Sequence, residues 1–94
     1  MKGLPSIELL ESTHTFPGTF TIKAFGDNSE AFIDAARAAA VGVSGSDARV
    51  NLSYRASSKG NHGCVTLDVW VEQAHQVHAL YICLGEIDGL RMLL

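Results

Sequence analysis

The chain has 94 residues and a formal net charge of −3, a length typical of one domain. Proteins that bind nucleic acid usually carry a basic excess, because neutralised phosphates supply most of the affinity, so the overall charge disfavours that class. No apolar run is long enough to cross a bilayer, and Glu8 and Glu11 interrupt the place where a signal peptide needs its apolar core. These features predict a cytoplasmic protein without a membrane partner.

The first fifteen residues are predicted to form an N-terminal extension, partly helical or mobile, ahead of a single domain over residues 16–94. Ser6 is a suitable N-cap for a short helix in this extension. Phe16-Pro17-Gly18 ends that helix, because proline lacks a backbone donor and restricts the residue before it.

A strand and a helix follow. Residues 19–26 alternate apolar and polar side chains, which is typical of a strand. The helix is predicted over residues 29 to about 41, with its cap among residues 27–29. Residues 42–47 hold two glycines and two serines and are predicted to form a loop, because these residues do not favour continuing a helix.

Residues 48–71 are predicted to form the central hairpin of the sheet. Two alternating runs are joined by residues 57–61, whose glycine and asparagine tolerate positive φ. In the second run Leu67 and the valines share the face predicted to be buried, so Val69 points inward and Trp70 outward.

A second helix is predicted over residues 72–84, with Gly85 in the left-handed conformation that ends many helices. The last strand is predicted over residues 86–94, with Arg91 and Leu93 on the face opposite its buried side chains. The order of elements is strand, helix, strand, strand, helix, strand. Right-handed crossovers turn this order into an α+β, ferredoxin-like βαββαβ sandwich, with the sheet in the order 4-1-3-2 and both helices on one face.

Three parts of the chain resemble the YbeD-like family of small uncharacterised bacterial proteins. The matching positions are Phe16-Pro17 with Phe20, Lys23 and Gly26; residues 57–61; and Gln76-Val77, Leu80-Tyr81, Leu84-Gly85, Ile87-Asp88 and Arg91-Met92. His62 departs from the pattern, since the family often has an aromatic residue there. The resemblance implies a ferredoxin-like fold, similar to ACT-type regulatory domains, and assigns no catalytic residues.

The open face of the predicted sheet is the first candidate surface. Strand parity places these side chains on it: Lys23, Phe25, Arg49, Asn51, Ser53, Arg55, Thr66, Asp68, Trp70, Arg91 and Leu93. We expect either a solvated face with cross-strand ion pairs, such as Lys23 with Asp68, or a surface that binds a partner. The candidate residues are Lys23, Asp68, Trp70 and Arg91. The occupant could be a protein partner, a second copy of the chain or a small anionic ligand. Trp70 and Leu93 favour a partner, because an exposed apolar patch usually marks one.

The predicted hairpin turn is the second candidate. Ser58, Lys59 and Asn61 offer a hydroxyl, an ammonium and an amide that together could hold a phosphate or carboxylate, although turn chemistry alone also explains them. Base stacking on the sheet is disfavoured, because Phe25 and Trp70 are predicted at opposite ends of the face.

No motif predicts an enzyme, a cofactor or a metal. Glu72, His75 and His78 share a helical spacing but have no third strong ligand, and Cys64 and Cys83 are predicted to be free thiols. We therefore expect a non-enzymatic, ACT-like regulatory or ligand-binding module, with ligand near residues 26–29 or at a subunit interface. The alternative is a protein-interaction adaptor that uses the open sheet face.

Overall fold

A computed structural model describes residues 4–94 of the chain. Its helices and strands are α1 Ile7–Thr13, β1 Gly18–Asp27, α2 Glu30–Ser44, a 3-10 turn Asp47–Arg49, β2 Val50–Ala56, β3 His62–Val71, α3 Ala74–Gly85 and β4 Leu90–Leu93. From β1 onward this is the βαββαβ order, so the predicted α+β, ferredoxin-like class is confirmed. No helix within residues 4–94 is long and apolar enough to traverse a lipid bilayer.

The sheet is antiparallel throughout, in the order β2-β3-β1-β4, which read from β4 is fourth, first, third, second. The two long central strands pair over their whole length, from Gly18 opposite Val71 to Asp27 opposite His62. Each outer strand is shorter, so the centre of the fold is the β1–β3 ladder.

One face of the sheet is buried beneath α2 and α3. Val65, Leu67, Val69 and Val71 of β3 are 0% exposed, whereas Trp70 between them is 39% exposed. The predicted phase of the strand, with Val69 inside and Trp70 outside, is therefore confirmed. This alternation assigns opposite surroundings to the two faces, since successive side chains of a strand point to opposite sides.

Helix α2 is longer than its composition predicts. It continues through Gly42 to Ser44, and Gly45 takes the left-handed conformation at φ 86°, with its N–H donating to the Val41 oxygen. The prediction of a loop from residue 42 is wrong, because Val41 and Val43 pack against the core and hold the last turn of the helix. Ser29 is the N-cap, and its Oγ accepts from the Phe32 N–H at 3.2 Å.

The end of α3 also differs from prediction. Gly85 is the last residue of the helix and is not left-handed; the residue with positive φ is Gly89, in the turn that leads to β4. Residues 86–89 form that turn, so β4 begins at Leu90 and has four residues. The Gly89 oxygen accepts from the Asp27 N–H at 3.1 Å, which fastens this turn to the end of β1.

A register shift in β4 changes which of its side chains lie on the open face of the sheet. Gly26 is opposite Leu90, but the next pair is Phe25 with Met92, so Arg91 is an extra residue in a β-bulge. Met92 consequently shares the open face with Phe25. The prediction that Leu93 lies on that face is wrong: Leu93 is opposite the buried Ala24 and packs against the core.

Helix α1 packs beside the domain. The Ser6 Oγ accepts from the Leu9 N–H at 3.0 Å, as its predicted capping role requires, and Leu10 is 3% exposed. The side chain of His78 on α3 contacts the Pro5 carbonyl oxygen at 2.5 Å. Residues 1–3 of the predicted N-terminal extension lie outside the described residues.

Candidate ligand site on the open sheet face

The middle of the open face is polar, as expected, but its cross-strand contacts differ from the predicted ones. Thr21 is opposite Asp68 and its hydroxyl donates to the Asp68 carboxylate at 2.5 Å, while Lys23 is opposite Thr66. The predicted Lys23–Asp68 ion pair is not among the ion pairs of residues 4–94. Those pairs are Arg37–Asp47 at 3.0 Å and Arg49–Glu72 at 2.7 Å. The threonine hydroxyl satisfies Asp68 because it lies directly across the strand pair, whereas Lys23 is diagonal to it.

One end of the open face is organised by Trp70. Its indole N–H donates to the Glu72 carboxylate at 3.2 Å, and the Arg49 guanidinium donates to the same oxygen at 2.7 Å. The Arg49 bond, and to a lesser degree the Trp70 bond, lowers the pKa of Glu72. A shallow depression of about 540 Å³ lies here, lined in part by Asn51 and Asp68.

The other end of the open face carries an apolar groove of about 470 Å³. Its lining residues are Phe25, Gly26, Arg55, Ala56, Ser57, His62, Gly63, Cys64, Arg91 and Met92. Four of these form one row across the sheet, because the observed register aligns Arg55 with Cys64, Cys64 with Phe25, and Phe25 with Met92. The floor of the row is apolar and its two ends carry the guanidinium groups of Arg55 and of Arg91, which is next to Met92.

Two loops meet at this end of the molecule. The Asn28 amide donates to the Gly60 oxygen at 2.8 Å, and the Tyr54 hydroxyl donates to the Asn28 side-chain oxygen. The Tyr54 ring lies where a Cβ on Gly63 would be, so only glycine fits beneath it. These contacts join the β1–α2 turn to the β2–β3 hairpin and hold the groove's rim in place.

The turn over residues 26–29, predicted to lie near a ligand, uses its polar groups within the chain. Ser29 caps α2 and Asn28 bonds to the hairpin. A Cβ on Gly26 would meet the Phe32 ring and the Gly89 oxygen, so atoms of the protein already fill the space beside Gly26. The groove on the sheet face, by contrast, is an open volume lined by both polar and apolar side chains.

The hairpin turn is held by its own hydrogen bonds. The Gly60 N–H donates to the Ser57 oxygen at 2.9 Å, and the His62 N–H donates to Ser57 Oγ at 3.3 Å. Gly60 has φ 73°, which confirms the predicted turn chemistry. Ser58, Lys59 and Asn61 are exposed at the tip, whereas Ser57 lines the groove, as Arg91 does from the opposite edge of the sheet. The structure therefore does not bring the three predicted turn residues together with Arg91.

Four residues of the row were not recognised as a site from the sequence. The sequence pattern places Phe25 and Arg55 on the correct face without a shared role, predicts Cys64 to be a packing thiol, and places Met92 inside. Their alignment depends on cross-strand register and on the β4 bulge, and neither has a signal in the local sequence pattern. Cys64 is free and half-buried.

The two aromatic residues of the open face are far apart. Phe25 lies opposite Cys64 and Trp70 opposite Thr19, six residues away along β1, which corresponds to about 20 Å. Their predicted placement at opposite ends is confirmed. Within residues 4–94, no three or more His, Cys, Asp or Glu side chains are grouped so that they could hold a metal ion.

A family model described as a protein of unknown function, DUF493, matches residues 11–94. The chain belongs to the DUF493 family. It is 37% identical to UPF0250 protein PM1928 of Pasteurella multocida, over 84% of this chain and 88% of that protein. A UPF0250 protein of Haemophilus ducreyi is 33% identical over 100% of this chain and 94% of its own length.

DUF493 membership confirms the resemblance to YbeD-like proteins seen in the sequence. The match covers every strand of the sheet as well as α2 and α3. A further UPF0250 protein, from Shewanella piezotolerans, is 36% identical over 93% of this chain and 92% of its own length. The family's description states no activity, so a function for this chain has to be argued from its own surface.

Proposed function

We propose that the protein is a non-enzymatic binding module, comparable in role to an ACT-type regulatory domain, that takes a small ligand in the groove on its open sheet face. The observation that carries the proposal is the cross-strand row of Cys64, Phe25 and Met92, an apolar floor with an arginine at each end.

The size and composition of the groove support a small ligand. Ligand pockets typically measure roughly 300–1,000 Å³, with apolar walls and a few polar groups that set orientation. The groove measures about 470 Å³ and combines Phe25 and Met92 with two guanidinium groups. Met92 is 49% exposed, and covering its side chain would contribute free energy in proportion to the apolar area removed from water.

The groove also offers little for nucleophilic catalysis. Its one thiol, Cys64, has no side-chain hydrogen bond to His62 among those found within residues 4–94, and a cysteine nucleophile needs a general base within reach. In this arrangement the Cys64 thiol adds apolar surface to the floor of the groove, which fits a binding role.

A thermal-shift screen of carboxylic acids, amino acids and nucleotides tests this proposal. A ligand present at about 100 times its Kd stabilises a protein by about 2.7 kcal/mol, which is easily measured. We expect at least one compound to raise the Tm. In two-dimensional NMR it should displace the amide resonances of Phe25, Cys64 and Met92. No stabilisation by any compound, or shifts confined to the Trp70 end, would contradict the proposal.

The second candidate is a protein-interaction adaptor that works through the Trp70 end of the same face. Trp70 is 39% exposed, and the depression beside it is lined by Thr19, Asn51 and Asp68. A tryptophan with a polar surround is typical of an interface anchor, and the matching partner would insert an apolar side chain and pair with the polar rim.

The adaptor candidate predicts a complex that depends on Trp70 and not on the groove. In a pull-down, the partner should be retained by the wild type and by Arg91→Gln but not by Trp70→Asp. The retained protein is then purified and mixed with this chain. Trp70 is the single tryptophan of this chain. Binding of a tryptophan-free fragment of the partner should therefore protect the Trp70 fluorescence from quenching by acrylamide. Unchanged quenching in the purified mixture would contradict this candidate.

A further inference from the structure

We infer that the groove binds an apolar carboxylate: a small molecule whose flat apolar body lies on Phe25, Cys64 and Met92 and whose carboxylate is held by Arg55 and Arg91. This inference rests on the proposed function, and it names the class of ligand that the groove selects.

The arginines lie at opposite ends of one row. Arg55 is on β2 and Arg91 is at the bulge of β4, with Cys64 and Phe25 on the two strands between them. Four adjacent strands span about 14 Å at a spacing of roughly 4.8 Å. Both arginines line the same groove, and two extended arginine side chains are together long enough to cover most of that span. A carboxylate above the row can therefore be reached from both ends.

The charge of these arginines is not neutralised locally. The ion pairs within residues 4–94 join Arg37 to Asp47 and Arg49 to Glu72, and neither Arg55 nor Arg91 takes part in one. Asp27 is opposite His62 at the edge of the site but does not line it. The groove is thus a local cationic site on a protein whose net charge is −3, and it is complementary to an anion.

The apolar floor of the groove favours a ligand with an apolar body. Phe25 and Cys64 are half-buried, so a bound molecule meets apolar atoms there rather than water. The Met92 sulfur beside Phe25 favours an aromatic body, because thioether–aromatic contacts are attractive. A bare phosphate would match the guanidinium groups but would leave this floor uncovered, so the arginines and the floor together favour an apolar acid.

A pair of fluorescent dyes separates the contributions of charge and apolar area. 1-Anilinonaphthalene-8-sulfonate and N-phenyl-1-naphthylamine share one aromatic body, and only the first carries an anionic group. We expect the sulfonate to bind the folded wild type more tightly than the neutral dye. Met92→Ser should weaken both dyes, since it removes apolar floor without changing charge.

The arginines are tested by Arg55→Gln/Arg91→Gln. Loss of two charge-assisted contacts should weaken binding of the sulfonate by roughly tenfold and leave the neutral dye unchanged. The matched control is Arg37→Gln/Arg49→Gln, which removes the same charge away from the groove and should leave both affinities at the wild-type level. Equal affinity of the sulfonate for the Arg55→Gln/Arg91→Gln variant and the wild type would overturn the inference.

Competition identifies the anionic group. Naphthalene-2-carboxylate should displace the bound sulfonate at a lower concentration than naphthalene-2-carboxamide does, and inorganic phosphate should not displace it. Displacement by the carboxamide as effective as by the acid would overturn the role of charge while leaving a binding groove in place. If neither dye binds the folded wild type, the proposed function fails together with the inference.

Discussion

At the scale of single residues, Glu72 joins two parts of the fold that are distant in sequence. Its carboxylate accepts from the Arg49 guanidinium, just before β2, and from the Trp70 indole at the end of β3. The Glu72 backbone N–H donates to the Gln76 side chain at 2.5 Å, and the Gln76 amide donates to the Val43 oxygen at 3.3 Å. These bonds orient Trp70 and tie the start of α3 to the end of α2.

We expect the pKa of Glu72, measured by NMR titration, to lie below its ordinary value of 4.5, chiefly because of the Arg49 hydrogen bond. Arg49→Gln should raise it toward that value. Arg37→Gln, which breaks the other ion pair, should leave it unchanged. An equal response to both substitutions would mean that general charge, and not the Arg49 contact, determines this pKa.

The sign of the stability effect follows from the lowered pKa. The folded state binds the Glu72 proton more weakly than the unfolded state, so this group contributes stability above the unfolded value. It loses that contribution as the pH falls through the lower, folded value. Because Glu72 is exposed, solvent screens the pair and the effect on the free energy of unfolding is small.

At the scale of elements, two glycines of similar appearance in the sequence have opposite roles. Gly26 ends the inward-facing side of β1, where an added Cβ would meet the Phe32 ring of α2 and the Gly89 oxygen. Gly42 is inside α2, and a Cβ there would have no heavy atom within 4 Å. The first glycine allows a strand, a helix and a turn to meet, whereas the second only reduces the helical preference of its segment.

We therefore expect alanine substitutions at these two glycines to change the free energy of unfolding in opposite directions, as measured by urea unfolding. Gly26→Ala should lower the free energy of unfolding by about 1–3 kcal/mol, because the added methyl must displace packed atoms. Gly42→Ala should raise it by about 0.5–1 kcal/mol, because alanine is the better helix former. The second substitution is the control for the first. A loss of stability in Gly42→Ala would argue that residue 42 is not helical.

At the scale of the whole molecule, the sheet divides the protein into a face covered by helices and a face left open. Ile22 and Ala24 of β1 lie beside the buried side chains of β3, and Ala36 and Ala40 of α2 pack above them. Small alanines let the helix approach the sheet closely. The helices cover one side only, so the other side is accessible to a ligand or partner, and the groove and the Trp70 depression occupy its opposite ends.

We expect Leu67→Ala to lower the free energy of unfolding by about 2–5 kcal/mol, because Leu67 is fully buried and its truncation leaves a cavity. Thr66→Val, its neighbour on the open face, keeps the branched shape and should change stability by less than about 0.5 kcal/mol. Chemical denaturation of both variants measures the difference. Similar losses would show that the two faces of β3 are equally buried.

Local patterns were sufficient for most of the fold. Alternation along β1 and β3, the serine caps of α1 and α2, and the glycine of the hairpin turn all act between neighbouring residues, so they can be recognised without tertiary contacts. These signals predicted the order of the elements and the outward position of Trp70. They failed at the ends of α2 and α3, where packing of Val41 and Val43 and the contact of Gly89 with Asp27 outweigh residue preference.

Tertiary structure alone assembled the candidate site. Arg55, Cys64, Phe25 and Met92 are on four different strands, and their alignment follows from register between residues as distant as 25 and 92. Hydrogen bonds across the sheet and one extra residue at Arg91 determine that register, and both are long-range properties that no window of sequence contains. The residue types were visible in the chain; their meeting in one groove was decided by the folded sheet.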